Sequence, residues 1–127
     1  MKRIVIDTNG FLRLLLDDIP EQANQIESLL KYAKKGEFKI FLPQIVVFEV
    51  VFTLEKYYHL NKEEVLDKLE SLVSIGYIEV ESREIFVKSA SLYRGNNISF
   101  VDCFIFILAQ KNNAELFTFD KKLEKLK

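Results

Sequence analysis

The chain has 127 residues, of which 49% are hydrophobic and 29% charged, a balance typical of one soluble globular domain over residues 1–127. Its 18 basic and 19 acidic residues leave a net charge of −1, which argues against a nucleic-acid partner unless a bound cation supplies the positive charge that faces a phosphate. No apolar run is long enough for a membrane span or a signal peptide, and the single cysteine allows no internal disulfide, so we expect a cytoplasmic protein.

Hydrophobic periodicity predicts strands and helices that alternate along the chain. In chain order these are a strand at 3–6, helices at 11–16 and 21–35, a strand at 38–42, helices at 43–58 and 61–76, a strand at 77–80, helices at 83–93 and 99–112, a strand at 115–119 and a short helix after residue 120. We expect the first strand to be buried, because it is an unbroken β-branched run. Helices between strands predict a parallel sheet and an α/β fold, a three-layer α/β/α sandwich with a short central sheet of about four strands.

Several helix starts carry local signals. Asn61, followed three residues later by Glu64, predicts a capping box. Ser99 and Asp120 are expected to cap the helices that follow them. In an α/β fold, ligands bind beyond the carboxyl ends of the strands, so polar residues at those ends are the first candidates for function.

Two acids lie in apolar stretches. Glu49 has Val46 and Phe52 three residues away on either side, and Asp102 precedes an apolar run that extends to residue 108. A carboxylate buried in such surroundings must be paired, bound to a metal ion or kept neutral. The alternative for Glu49 is a half-exposed position at the edge of its helix. The alternative for Asp102 is a capping role behind Ser99, which is compatible with a ligand role.

Two further acids follow predicted strands. Asp7 and Asp120 end the first and the last strand, and each of them has the alternative of only capping the next helix. An α/β topology can bring these two acids together with Glu49 and Asp102 at one edge of the sheet. Four clustered carboxylates repel one another unless a cation lies among them, and ligation by oxygen alone selects Mg²⁺ or Mn²⁺. Such an ion activates a bound water and neutralises charge on an attacked phosphodiester.

Four segments resemble the PIN-domain family in family order, and they are especially similar to its VapC-like toxins of toxin–antitoxin systems. They are residues 4–13, with the DTN sequence, 42–49, 98–103, with SFVDC, and 116–123, with TFDKKL. The resemblance implies a parallel α/β/α sandwich and metal-dependent cleavage of RNA. Chains of the family commonly continue into a further edge strand, which this sequence has no apolar run left to form, so we expect four strands.

The resemblance also assigns roles to individual residues. It implies that Asp7, Glu49, Asp102 and Asp120 hold Mg²⁺ or Mn²⁺, directly or through water. It implies that Asn9 and Thr118 support these acids by hydrogen bonds, and we expect Ser99 to orient Asp102 as its cap. It further implies a homodimer held by helices, an antitoxin that covers the acidic site, and products with a 5′-phosphate and a 3′-hydroxyl.

Other residues have weaker signals. The candidates for contact with RNA phosphates are Arg13, Arg94, Lys121 and Lys122, with solvated surface charges as the alternative. The candidates for an apolar interface are Leu14, Leu15, Leu16 and the helix at 46–52, with the protein core as the alternative. His59 is expected at the surface and Cys103 in the core.

Four other functions remain open. A phosphatase with an aspartyl nucleophile usually has a second acid two residues after the first, where this chain has Asn9. A phospho-accepting receiver domain needs adjacent acids near the first strand, which residues 2–6 lack. Two alternatives to a toxin remain. One is a PIN-like domain that acts in RNA processing, and the other is a catalytically silent domain that only binds a partner.

Overall fold

In the computed structural model, which describes residues 2–127, parallel strands and helices alternate along the chain. The elements are β1 (Arg3–Val5), α1 (Thr8–Leu16), α2 (Pro20–Lys34), β2 (Lys39–Leu42), α3 (Gln44–Lys56), α4 (Lys62–Val73), β3 (Ile78–Val80), α5 (Arg83–Gly95), α6 (Phe100–Lys111) and α7 (Lys121–Leu126). The α/β class and the parallel sheet are therefore confirmed. The chain divides into two compact units, with the boundary after Glu81. The single domain expected from the sequence stays a prediction.

The first unit contains a three-stranded sheet in the order β1-β2-β3, with parallel neighbours throughout. The register aligns Ile4, Ile40 and Ile78 on one face, and Ile40 and Ile78 are buried. The expectation of a wholly buried first strand is wrong, because Arg3 and Val5 are exposed. The physical reason is that Arg3 and Val5 lie on the opposite face of the sheet from Ile4, where Lys39 and Glu79 of the neighbouring strands are also exposed.

The helices of this unit form its core. Helix α1 packs on α2 and α3, and α3 packs on α4, with apolar side chains from each helix fully buried. The buried set includes Phe11, Leu12, Val47, Val50, Leu54, Leu66 and Leu69. Helix α4 begins with the predicted capping box: Asn61 Oδ1 accepts the Glu64 N–H at 2.9 Å, and Glu64 Oε1 accepts the Asn61 N–H at 3.0 Å.

The second unit is built on two packed helices, α5 and α6. Phe86 of α5 contacts two rings of α6, with centroid distances of 4.9 Å to Phe104 and 6.1 Å to Phe100. Cys103 is buried, as expected of a small hydrophobic residue. In residues 2–127, no helix is both long enough and apolar enough to span a membrane.

The fourth strand predicted at residues 115–119 is absent from the described part of the chain. Burial there still alternates with the period of a strand: Leu116 and Thr118 are half-buried, whereas Phe117 and Phe119 are 81% and 91% exposed. A strand also needs a neighbour whose backbone completes its hydrogen bonds, and residues 2–127 provide none for this segment. The sequence pattern therefore predicted the alternation of the side chains, but not whether a neighbouring strand is present to pair with them. The sheet has three strands rather than about four.

Candidate active site

Asp7 lies in the short connection between β1 and α1. It is the N-cap of that helix, and its Oδ1 accepts the N–H of Gly10 at 2.9 Å. Gly10 fits tightly here, because a Cβ at this position would collide with Cγ2 of the buried Ile6. The first turn of α1 is therefore pressed against the end of β1, and this contact fixes the position of the exposed Asp7.

Glu49 projects from α3 towards solvent. Val46, Val47 and Val50 of this helix are buried, but Glu49 itself is exposed. Of its apolar neighbours on the same face, Ile45 and Phe52 are each 64% exposed. The structure therefore matches the alternative of a solvent-facing glutamate, and the expected apolar burial of Glu49 is wrong. Burial supplies no argument for its ligand role, which stays a prediction.

Asp102 stands in the first turn of α6 and is half-buried. Ser99 is the N-cap of this helix, as expected, and its Oγ accepts the Asp102 N–H at 3.1 Å. Because the donor in this bond is the backbone of Asp102, the cap leaves the carboxylate itself unused. Capping and metal binding are thus compatible at this position.

Asp120 caps α7 with a single oxygen. Its Oδ1 accepts the N–H groups of Lys122 at 2.9 Å and Leu123 at 3.0 Å. Its own N–H donates to Oγ1 of Thr118 at 3.0 Å, so Thr118 holds the turn that presents the acid. Oδ2 of Asp120 makes no hydrogen bond within residues 2–127 and is available to a ligand. Asn9, the other expected supporting residue, is exposed in the first turn of α1.

The four candidate acids are not used in ion pairs, unlike some other acids of the chain. Asp18, Glu79 and Glu84 form ion pairs with Arg13, Arg3 and Lys111. Within the described residues, none of the four candidates pairs with a lysine or an arginine. Uncompensated carboxylates are the donor set that Mg²⁺ and Mn²⁺ prefer, so the chemistry of these residues fits such an ion.

The structure places the candidates two to a unit, with Asp7 and Glu49 in the first unit and Asp102 and Asp120 in the second. Among residues 2–127, no group of three or more Asp, Glu, His or Cys side chains is arranged to hold a metal ion. The convergence of the four acids on one ion stays a prediction.

Arg13 has a structural environment that the sequence did not indicate. Its side chain is only 14% exposed, and it donates to the Tyr58 hydroxyl at 2.9 Å and to Asp18 at 3.0 Å. The hydrogen bond with Tyr58 is the main cause that raises the pKa of Arg13. These contacts join α1 to the end of α3. Of the other candidates for RNA contact, Arg94, Lys121 and Lys122 are exposed, and the role of all four stays a prediction.

Glu81 is a further residue that sequence reasoning missed. It follows β3, and its Oε1 accepts the N–H of Gln44 at 2.6 Å. Helix α3 begins after Pro43, which provides no side-chain cap, so Glu81 supplies the capping acceptor from the neighbouring strand. Because the two residues are 37 positions apart, no local motif could have revealed this contact.

Comparison with known proteins agrees with the resemblance of the four segments. The family model of the PIN domain matches residues 4–127, and the chain therefore belongs to the PIN domain family. It is also similar to the VapC ribonuclease of Aquifex aeolicus (strain VF5), with 26% identity over 118 residues, which cover 89% of this chain and 87% of that protein.

Proposed function

We propose that this protein is an endoribonuclease that depends on Mg²⁺ or Mn²⁺ and acts in the cytoplasm as the toxin of a toxin–antitoxin pair. The observation that carries the proposal is the set of four acids without ion-pair partners, Asp7, Glu49, Asp102 and Asp120, in a PIN domain that spans residues 4–127. The similarity to a protein named VapC ribonuclease supports RNA as the substrate.

The four acids and the residues that support them have different roles in this proposal. Asp7, Asp102 and Asp120 would hold the ion directly, and Glu49 would hold it through water. When bound, the ion would lower the pKa of a water and offset charge on the phosphodiester. Asp7 and Asp120 each use one oxygen as a helix cap, which orients the other. Ser99 and Thr118 hold the backbone at Asp102 and Asp120.

The carboxylates also act as the general base for the attacking water. One of them accepts the proton of the attacking water, which becomes a stronger nucleophile as it loses that proton. The water oxygen forms the new bond to phosphorus in line with the leaving 3′-oxygen, the bond from phosphorus to that oxygen breaks, and the protonated carboxyl group passes its proton to the leaving 3′-oxygen. The products are a 5′-phosphate and a 3′-hydroxyl.

A cleavage assay tests this function directly. Labelled single-stranded RNA is incubated with the protein in Mn²⁺, in Mg²⁺ and in excess chelator, and the ends of the products are identified. We expect cleavage only with metal, and none by Asp102→Asn in any condition. The matched control is Asp17→Asn, which removes the same charge at a left-handed position that Asn tolerates, and which should cut like wild type. Cleavage that persists in chelator would contradict the proposal, whereas absence of any cleavage would favour the silent partner-binding domain.

The exposed apolar face of α3 supports a homodimer and an antitoxin as partners. Ile45 and Phe52 lie one helical turn before and after Glu49 and are mostly exposed, whereas Leu14, Leu15 and Leu16 are half-buried. Exposed apolar side chains that are close together are typical of an interaction surface. Light scattering should show a dimer, and Phe52→Ser should shift it towards the monomer; a strict monomer at high concentration would remove the dimer.

A further inference from the structure

A cleft that includes two lysines lies in the second unit, on segments adjacent in sequence to two of the proposed metal ligands. It has a volume of about 330 Å³ and is lined by Asn96, Asn97, Ile98, Lys122, Lys125 and Leu126. The segment 96–98 follows α5 and leads into the Ser99 cap of α6, and the other three residues belong to α7. We propose that this cleft binds the sugar-phosphate backbone of single-stranded RNA next to the scissile bond. The inference rests on the proposed ribonuclease function and adds a surface that binds the RNA substrate.

The charge of the cleft is the first argument. Residues 121–127 contain four lysines and one glutamate, in a chain whose net charge is −1. Lys122 and Lys125 are three residues apart and therefore share one face of α7. In the described part of the chain neither has an ion-pair partner, whereas Lys127 pairs with Glu124 at 3.2 Å. Two uncompensated ammonium groups on one face are the usual contacts for the phosphates of a nucleic acid.

The amide side chains that line the cleft are the second argument. Asn96 donates from Nδ2 to the carbonyl oxygen of Leu92 at 3.0 Å, and this bond anchors the segment to the end of α5. Asn97 is exposed beside it, and its amide can donate to a phosphate or a ribose hydroxyl. Buried Ile98 and half-buried Leu126 complete the lining, so the polar groups are presented from a fixed base.

The connection to the acids is the third argument. The backbone N–H of Lys122 is bonded to Oδ1 of Asp120, and Ser99, which follows Ile98, is bonded to the N–H of Asp102. The segments that present these two acids therefore also line the cleft. An RNA strand whose scissile phosphate meets the acids would place an adjacent phosphate within reach of the lysines. This supplies the positive charge that the composition of the whole chain does not show.

A pair of double variants tests the cleft. Lys122→Gln with Lys125→Gln removes both charges, and Lys31→Gln with Lys34→Gln on α2 removes two exposed lysines at the same spacing as a control. We expect the cleft variant to raise KM for single-stranded RNA about tenfold with kcat little changed, and the control to leave both unchanged. The dissociation constant for Mn²⁺ should not rise in either variant, because none of these lysines is a ligand.

Binding without cleavage separates this inference from the proposed function. In an Asp7→Asn background, fluorescence anisotropy with labelled RNA should show that the cleft variant lowers the salt slope of log K by about 1.4, or about 0.7 per lost phosphate contact. Equal slopes for cleft and control variants would overturn the cleft as an RNA site. Loss of binding to polyglutamate with RNA binding intact would overturn it in favour of an acidic protein partner. If wild type binds RNA through the cleft but does not cut it, the ribonuclease function fails and the cleft stands.

Discussion

At the scale of single residues, two of the proposed ligands also cap helices. Asp7 and Asp120 each give Oδ1 to backbone N–H groups of the following helix. A cap needs one side-chain oxygen, and Asn supplies it as well as Asp does. A metal ligand of this kind needs the negative charge, which Asn lacks. Substitution by Asn or by Ala therefore separates the two roles at one position.

Asp120 provides the clearest comparison. We predict that Asp120→Asn abolishes metal-dependent cleavage and, in chelator, leaves the free energy of unfolding close to that of wild type. Asp120→Ala should abolish cleavage and also lower the free energy of unfolding by about 1 kcal/mol, because the N–H groups of Lys122 and Leu123 lose their acceptor. Urea unfolding in chelator and a cleavage assay measure both. An Asp120→Asn protein that cuts like wild type would show that this acid is only a cap.

Tyr58 is expected to matter for stability through Arg13. Tyr58→Phe removes the hydroxyl that accepts from Nη2 of Arg13, while Nε of the same side chain is already buried without a partner in the described residues. We predict a loss of about 1–3 kcal/mol in the free energy of unfolding, the cost of a buried donor left unsatisfied. Tyr57→Phe, at the exposed neighbouring residue, is the control and should have little effect. Equal stabilities of the two variants would show that the Arg13–Tyr58 contact is not a structural link.

At the scale of elements, the junction between β1 and α1 leaves no room for a side chain at Gly10, close to the proposed ligand Asp7. An alanine at a helical glycine ordinarily stabilises by up to about 1 kcal/mol. At Gly10 the new methyl would meet Cγ2 of Ile6, which is buried and attached close to the backbone, so it cannot move aside easily. Overpacking costs about 1–3 kcal/mol and should outweigh the gain in propensity.

We therefore predict that Gly10→Ala lowers the free energy of unfolding and weakens Mn²⁺ binding, because it displaces Asp7. Gly95→Ala is the matched control: it lies in a helix, has open space around it and should be neutral or slightly stabilising. Chemical unfolding and metal titration measure both effects. If Gly10→Ala proves as stable as wild type, the strand–helix junction is looser than the contact implies.

The Glu84–Lys111 pair links α5 to α6, the helix that carries Asp102. The hydrogen bond and charge of Lys111 lower the pKa of Glu84 from its ordinary value of 4.5. The pair should therefore contribute stability above pH 4.5 and lose it as the pH falls through the lower pKa of the folded state. We predict that Glu84→Gln is less stable than Glu27→Gln at neutral pH in chelator, and that the difference disappears in acid. A difference that persists unchanged at low pH would assign it to packing.

The sequence predicted those elements and site residues whose signals are local. The capping box at Asn61 and the caps at Ser99 and Asp120 depend on groups two or three residues apart, and the structure contains all three. The segment at 115–119 was predicted as a strand from its alternation, which contains no information about a pairing partner. The contacts Arg13–Tyr58 and Gln44–Glu81 join residues 45 and 37 positions apart, and no single-sequence pattern encodes them.

At the scale of the whole molecule, the distribution of charge is more informative than its sum. Basic and acidic residues nearly cancel, which by itself argues against an RNA substrate. None of the four proposed metal ligands nevertheless forms an ion pair in residues 2–127, and the lysines of 121–127 form a basic segment beside Asp120. Under the proposed function, the substrate would meet positive charge from a bound cation and from this one surface, so that the net charge can stay near zero.

The central claim is that a divalent cation binds among these acids, and it is tested most directly by thermal unfolding of wild type and Asp102→Asn, each with Mn²⁺ and with chelator. Mn²⁺ at about a hundredfold excess over its dissociation constant should stabilise wild type by about 2.7 kcal/mol and should shift Asp102→Asn much less. In chelator the variant should be as stable as wild type or more so, since one repelling charge is gone and Ser99 still caps the backbone. If Mn²⁺ shifts neither protein, or shifts both equally while the variant still cuts RNA, the metal-dependent ribonuclease is contradicted.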